Sequence, residues 1–192
     1  MGALKVLIID EIQADKQLEE TLCKHGYEVA RLPLQSLDIT GIVLSLLPDI
    51  IVLNLYSPTQ TILNAILDIN RSHSVPIIMF AEDQDTETIN RVIKAGISAY
   101  IVDGYEAKRI KAIIEIAVAR FKEHQSLKNE LEKAKIKLEE RKLIDRAKGI
   151  LTKSQGFTED EAYHALRKLA MDRNMSIGEM AKNVISMADL FK

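Results

Sequence analysis

Tryptophan is absent from this chain, and Cys23 is the only cysteine. One thiol cannot close an internal disulfide, which suits a reducing compartment. Aromatic residues make up 5% of the sequence, so a platform for stacking single-stranded bases would have few members to draw on. The longest apolar stretch, Ile42 to Tyr56, is interrupted by Pro48, Asp49 and Asn54 and is too short to span a bilayer. No charged leader with a long apolar run precedes the first strand pattern. A cytoplasmic location without membrane contact is therefore expected. There is no Gly-rich nucleotide loop and no Cys/His metal spacing, and His25, His73, His124 and His164 lack the company of a catalytic triad. These absences argue against an enzyme, a cofactor or a bound metal.

What is present is an ordinary globular composition, 47% hydrophobic and 28% charged over 192 residues, with enough apolar material for a real core. Its charge is uneven. Residues 1–119 hold 10 basic and 16 acidic side chains, whereas 120–192 hold 16 basic and 12 acidic. A basic C-terminal part beside an acidic N-terminal part hints at a polyanionic partner.

Apolar runs at Leu4–Ile9, Ile50–Leu53, Ile77–Phe80 and Ala99–Val102, with a weaker one at Glu28–Leu32, alternate with helical patterns. Those patterns fall at about 12–25, 36–47, 60–71, 85–95 and from 106 onward. Strands this continuously apolar predict a parallel sheet buried on both faces. Five such units predict a doubly wound, flavodoxin-like α/β domain over 1–119.

From Tyr105 to about Thr152 there is no Pro and one Gly, so the last helix has no signal to stop. Within it Leu127, Leu131, Ala134 and Leu138 repeat at 4-3-4 spacing, with Ala117, Arg120 and His124 earlier in the same register. That is a coiled-coil seam and predicts a parallel homodimer through a linker helix over 120–140. The competing reading is one amphipathic helix lying on its own domain. Residues 141–192 predict three short all-α helices. The first, about 141–153, carries Leu143, Ile144, Ala147, Ile150 and Leu151 on one side, and Gly156 follows it. Capping boxes at Thr158/Glu161 and Ser176/Glu179 open the second and third helices, at about 159–172 and 177–190.

The N-terminal order of elements resembles a response-regulator receiver domain. In that family an acidic pair follows the first strand and helps to hold Mg²⁺, a phosphoacceptor Asp ends the third, a Thr or Ser follows the fourth and a Lys the fifth. Phosphoryl transfer onto a carboxylate needs these parts as nucleophile, metal site and cation. Asp10 and Glu11 keep the acidic pair, but the phosphoacceptor position is Asn54, the hydroxyl position Ala81 and the cation position Asp103. Asp49 is no substitute, because it precedes its strand. The domain is thus expected to act through protein contact, not aspartyl phosphorylation. A residual cation site among Asp10, Glu11 and Asp103 stays open.

The segments from Arg141 to Leu151, Gly156 to Tyr163, Leu166 to Met171 and Ile177 to Ala181 resemble the ANTAR domain, an RNA-binding module of transcription antiterminators. With the altered receiver, the whole chain is similar to NasT-type nitrate-assimilation regulators. The resemblance implies binding of leader-RNA hairpins, prevention of terminator formation, and control by a solute-binding-protein-like sensor. On this reading Lys142, Arg146 and Lys148 meet phosphates, while Tyr163, Arg167 and Arg173 lie nearer loop bases. Tyr163 packed on the stem of Arg167 is an equally good reading of those two residues alone. Gly149, costly inside a helix, is expected to mark a close backbone approach, to another helix or to RNA. A DNA-binding response regulator is the alternative, but the last helix offers a groove only Lys182 and Asn183.

Overall fold

The computed structural model describes residues 2–11, 16–34 and 38–190. The chain divides into two compact units, 1–125 and 126–192. In the first unit, strands β1 (Lys5–Asp10), β2 (Glu28–Pro33), β3 (Ile50–Asn54), β4 (Ile77–Ala81) and β5 (Ala99–Val102) alternate with helices. These are α1 (Lys16–Lys24), α2 (Ile39–Leu46), α3 (Gln60–Ser72) and α4 (Thr86–Lys94), followed by the start of α5 (Ile110–Gln155). The strands pair in parallel in the order β2-β1-β3-β4-β5. This is the expected flavodoxin-like sheet. Expected helical turns at 12–15 and 36–37 lie outside the described residues.

Alternation along each strand sends side chains to two cores. Leu7, Ile9, Ile51, Leu53, Ile77 and Met79 meet Val43 of α2, Ile62, Leu63, Ile66 and Ile69 of α3, and Val92 of α4. Val6, Ile8, Ile50, Val52, Ile78 and Phe80 meet Leu18 and Leu22 of α1 and Ile110, Ile114 and Ala117 of α5. Burial on both faces holds for β3 and β4 and nearly all of β1. It does not extend to the edges: β2 is part exposed and β5 only half-buried, because each has a neighbour on one side only. Ala117, placed by its spacing in the dimer register, is instead fully buried in this unit's core.

Helix starts follow local chemistry. Thr59 and Asp85 cap α3 and α4 through the amides of Ile62 and Thr88. Asp38 caps α2 through Gly41 N at 2.8 Å. A Cβ at position 41 would lie 2.1 Å from Asp38 Oδ2, so the cap requires glycine there.

The second unit packs the C-terminal part of α5 with α6 (Glu159–Asp172) and α7 (Ile177–Leu190). Ala147, Leu166, Ala170, Met180, Ala181 and Ile185 form its core, flanked by Leu143, Ile144, Ile150 and Leu151. Gly156, at φ 72°, ends α5 in the left-handed conformation. Both expected capping boxes are present: Thr158 N donates to Glu161 Oε2 at 2.8 Å and Ser176 N to Glu179 Oε2 at 2.9 Å. On α6 Leu166 and Ala170 are buried, whereas Leu169 is 39% exposed. No helix among the described residues is long and apolar enough to cross a membrane.

Candidate functional sites: a rewired receiver pocket and a basic helical head

The three substituted receiver positions converge. Asn54 ends β3, Ala81 ends β4 and Asp103 follows β5, and together with Leu55, Phe80, Glu82 and Gly104 they line a cleft of about 470 Å³. Parallel strands bring their C-terminal ends to one edge, which is why residues so distant in sequence meet there. Asp103 adopts φ 62°, and its Oδ1 accepts from Gln84 Nε2 at 3.0 Å. Nearby, Asp83 accepts from the Asp85 amide at 2.9 Å and the Ser57 hydroxyl at 2.7 Å. These bonds hold its carboxyl below the usual carboxylate value, the Asp85 amide contributing most. The Tyr100 hydroxyl donates to the Asp83 carbonyl at 2.6 Å. Burial first, and the Asp83 charge second, raise the Tyr100 phenol.

The acidic pair does not join the cleft lining. Glu11 Oε2 accepts from the Tyr56 amide at 3.0 Å. Asp10 Oδ2 is 2.6 Å from Arg31 Nε, and Arg31 Nη1 reaches Glu19 Oε2 at 3.2 Å. A receiver's divalent cation needs these carboxylates turned together with the phosphoacceptor. Here one is taken by a guanidinium, one by a backbone amide, and the third position is an amide side chain. The residues present do not fit the metal. Arg31 belongs to no motif legible in the sequence. Its only signal is a cation two residues after Val29, on the strand face that otherwise packs against the core.

The head arranges its cations around α5. Lys142 and Arg146 are exposed; Lys142 Nζ lies 2.7 Å from Glu139 Oε1, and Arg146 Nη2 lies 3.2 Å from Asp189 Oδ2 on α7. Lys148 has a side chain only 17% exposed, 3.0 Å from Asp145 and 3.8 Å from Glu159 at the start of α6. The hydrogen bond that Lys148 donates to Asp145 holds its ammonium above the usual lysine value, reinforced by the charges of Asp145 and Glu159. Arg146 and Lys148 therefore also brace α5 against α7 and α6. Tyr163 and Arg167 lie one turn apart on α6, both exposed, with Tyr163 edge-on to His164 at 6.1 Å between ring centres. Arg173 is the exposed C-cap of α6.

Gly149 corrects an expectation. A Cβ built on it meets nothing within 4 Å, so no helix among the described residues packs there. The close approach occurs instead at Gly178, whose Cβ would lie 2.7 Å from Glu140 Cγ. At about 100° per residue, Gly149 points to the side of α5 away from Ala147, and so do Leu127, Leu131, Ala134 and Leu138. Those three leucines are 60%, 57% and 54% exposed.

Residues 132–185 match the ANTAR domain family. The transcriptional regulatory protein PdtaR of Mycobacterium tuberculosis is 29% identical over 94% of this chain and 89% of its own length. The nitrate regulatory protein of Klebsiella oxytoca is 38% identical over 43% of this chain and 21% of its own. Among solved structures, the receiver domain of a modulated diguanylate cyclase from Desulfovibrio desulfuricans matches with TM-score 0.54 at 22% identity. It covers 64% of this chain and 98% of that one. FixJ-N matches with TM-score 0.52 at 20% identity over 62% and 96%. At such identities these two neighbours establish the receiver fold alone.

Proposed function

From a chain that joins a receiver fold to an ANTAR domain, we propose a regulator of transcription that binds leader-RNA hairpins and prevents terminator formation. The observation that carries this reading is the ANTAR match over 132–185, on a head whose α5 and α6 expose Lys142, Arg146, Tyr163 and Arg167. A-form RNA hides its base edges in a narrow major groove, so sequence is read in loops while phosphates set the position. Lys142, Arg146 and Lys148 serve the phosphates. Tyr163, Arg167 and Arg173 serve the loop bases by stacking and hydrogen bonding.

Functionally the chain divides into a receiver-like domain over 1–119, a stalk over 120–140 and the RNA-binding head over 141–192. The stalk pairs in parallel with that of a second copy through Leu127, Leu131, Ala134 and Leu138, which presents two heads to the transcript. The front domain answers to protein contact, with a solute-binding-protein-like sensor as its partner. An amide at Asn54 cannot form an acyl phosphate, which supports control without phosphorylation.

The test is a gel shift of the full chain on its upstream leader RNA against duplex DNA of the same sequence, at low ionic strength. Lys148→Ala and Arg167→Ala are each expected to weaken binding to the RNA. Preference for the duplex, or unaltered affinity in both variants, overturns the assignment. Labelling by acetyl phosphate that disappears in Asp10→Ala overturns the phosphorylation-independent control.

A further inference from the structure

We propose that Arg31 is a built-in counter-ion that takes over the role of the divalent cation at the receiver-like site. Three observations place it there. Asp10, at the C-terminal end of β1, is 6% exposed, and its Oδ2 lies 2.6 Å from Arg31 Nε. The same guanidinium extends Nη1 to Glu19 of α1 at 3.2 Å, so one cation joins β1, the edge strand β2 and α1. The other oxygen of Asp10, Oδ1, is buried with no hydrogen-bond partner among the described residues. A metal bound at Asp10 would be expected to draw on that oxygen, whereas here the charge is met from one side only, by a side chain.

The register explains how Arg31 reaches its partners. It pairs with Ile8 across β1 and β2, and its side chain leaves on the same sheet face as Ile8 and Val29. Asp10 lies two residues beyond Ile8 on that face, within reach of a long side chain. Guanidinium suits the position. It stays protonated at any physiological pH, presents several donors in a fixed plane, and is weakly hydrated, so it loses less on partial burial than an ammonium. A divalent ion would have to enter against this fixed positive charge within a few ångströms. The site is consequently indifferent to Mg²⁺, and the fastening of β2 and α1 is permanent. That is the opposite of a site assembled only when metal binds.

Manganese serves as the probe, followed by the resonance of free Mn²⁺ and by thermal melting of the full chain. The wild type is expected to take up no Mn²⁺ that depends on Asp10, and its melting temperature is expected not to move with Mn²⁺ or Mg²⁺. Arg31→Gln is expected to bind Mn²⁺ at least roughly tenfold more tightly than wild type, since the repelling charge is gone. Adding Asp10→Asn to that variant should abolish the gain, and Arg31→Lys, which keeps a cation, should show none. Asp10-dependent Mn²⁺ binding by the wild type overturns the proposal. So does a folded Arg31→Gln protein that gains no binding, or gains binding that Asp10→Asn leaves intact. Should Arg31→Gln fail to fold, the double variant decides. Recovery of folding when the stranded carboxylate is also removed supports the counter-ion role, and no recovery overturns it.

Discussion

Replacing Leu131 by Asn tests the stalk on one face at a time. Leu131 is 57% exposed in the single chain, so a partner has rather more than half of the side chain left to cover. Full burial of a leucine stabilises by about 2 kcal/mol, which leaves about 1 kcal/mol for the covering of Leu131 by a second helix. Both copies carry the substitution, so the pair loses about 2 kcal/mol, or roughly 30-fold in dimer dissociation constant. Ile136 supplies the control. It is 59% exposed, nearly the same as Leu131, but at about 100° per residue it points to the side of α5 that Ala147 occupies. Sedimentation equilibrium of wild type, Leu131→Asn and Ile136→Asn, across a range of protein concentrations, reads the effect directly. The reasoning requires weakening by Leu131→Asn and an unchanged constant for Ile136→Asn. Equal effects would mean that the exposed leucines are not a seam, and a wild type that stays monomeric throughout would refute the pairing itself.

Three further outcomes follow from the head. Glu161 and Glu179 have carboxyls held below their usual value, by the backbone and hydroxyl of Thr158 and Ser176 respectively. A depressed folded value means their contribution is present above the unfolded value and lost as pH falls through the folded one. Circular dichroism should therefore show the helix signal declining below about pH 4.5, and less so in the Glu161→Gln/Glu179→Gln variant; identical acid profiles would refute it. Gly149→Ala should raise the thermal stability by about 0.5 to 1 kcal/mol, because a methyl group there meets open space. A lowered melting temperature would indicate contact that the chain itself does not supply. In the RNA titration, Lys142→Ala should lower the slope of log affinity against log salt by about 1, whereas Arg167→Ala should leave that slope nearly unchanged if it meets bases and not phosphates.

The sheet could be read from sequence because each strand is a short run of Val, Ile, Leu and Met between helical periods, and burial of that kind has one architectural solution. The capping boxes were legible for a similar reason, since Thr158/Glu161 and Ser176/Glu179 act over three residues and need no tertiary context. The convergence of Asn54, Ala81 and Asp103 at one cleft followed from strand ends alone. The diversion of Asp10 did not. Its partner lies 21 residues away on another strand, and only the parallel register sets Arg31 beside it. The head shows the same limit. Arg146 and Lys148 read as solvent-facing cations along one helix, and their braces to Asp189 and Glu159 depend on how three helices cross. Gly149 and Gly178 were indistinguishable as letters, and only the neighbour, Glu140, tells the crowded glycine from the open one.

Helix α5 carries two prints on opposite sides: apolar rungs from Leu127 to Leu138, and the core-facing set from Leu143 to Leu151. Nothing between them can swivel, because the helix is unbroken from Ile110 to Gln155. One residue inserted after Leu138 would wind the two prints about 100° out of phase, whereas an extra seven would nearly restore them. Chain length is usually the most forgiving variable in a connecting segment; in a stalk paired as proposed it would be a dial with very few permitted settings.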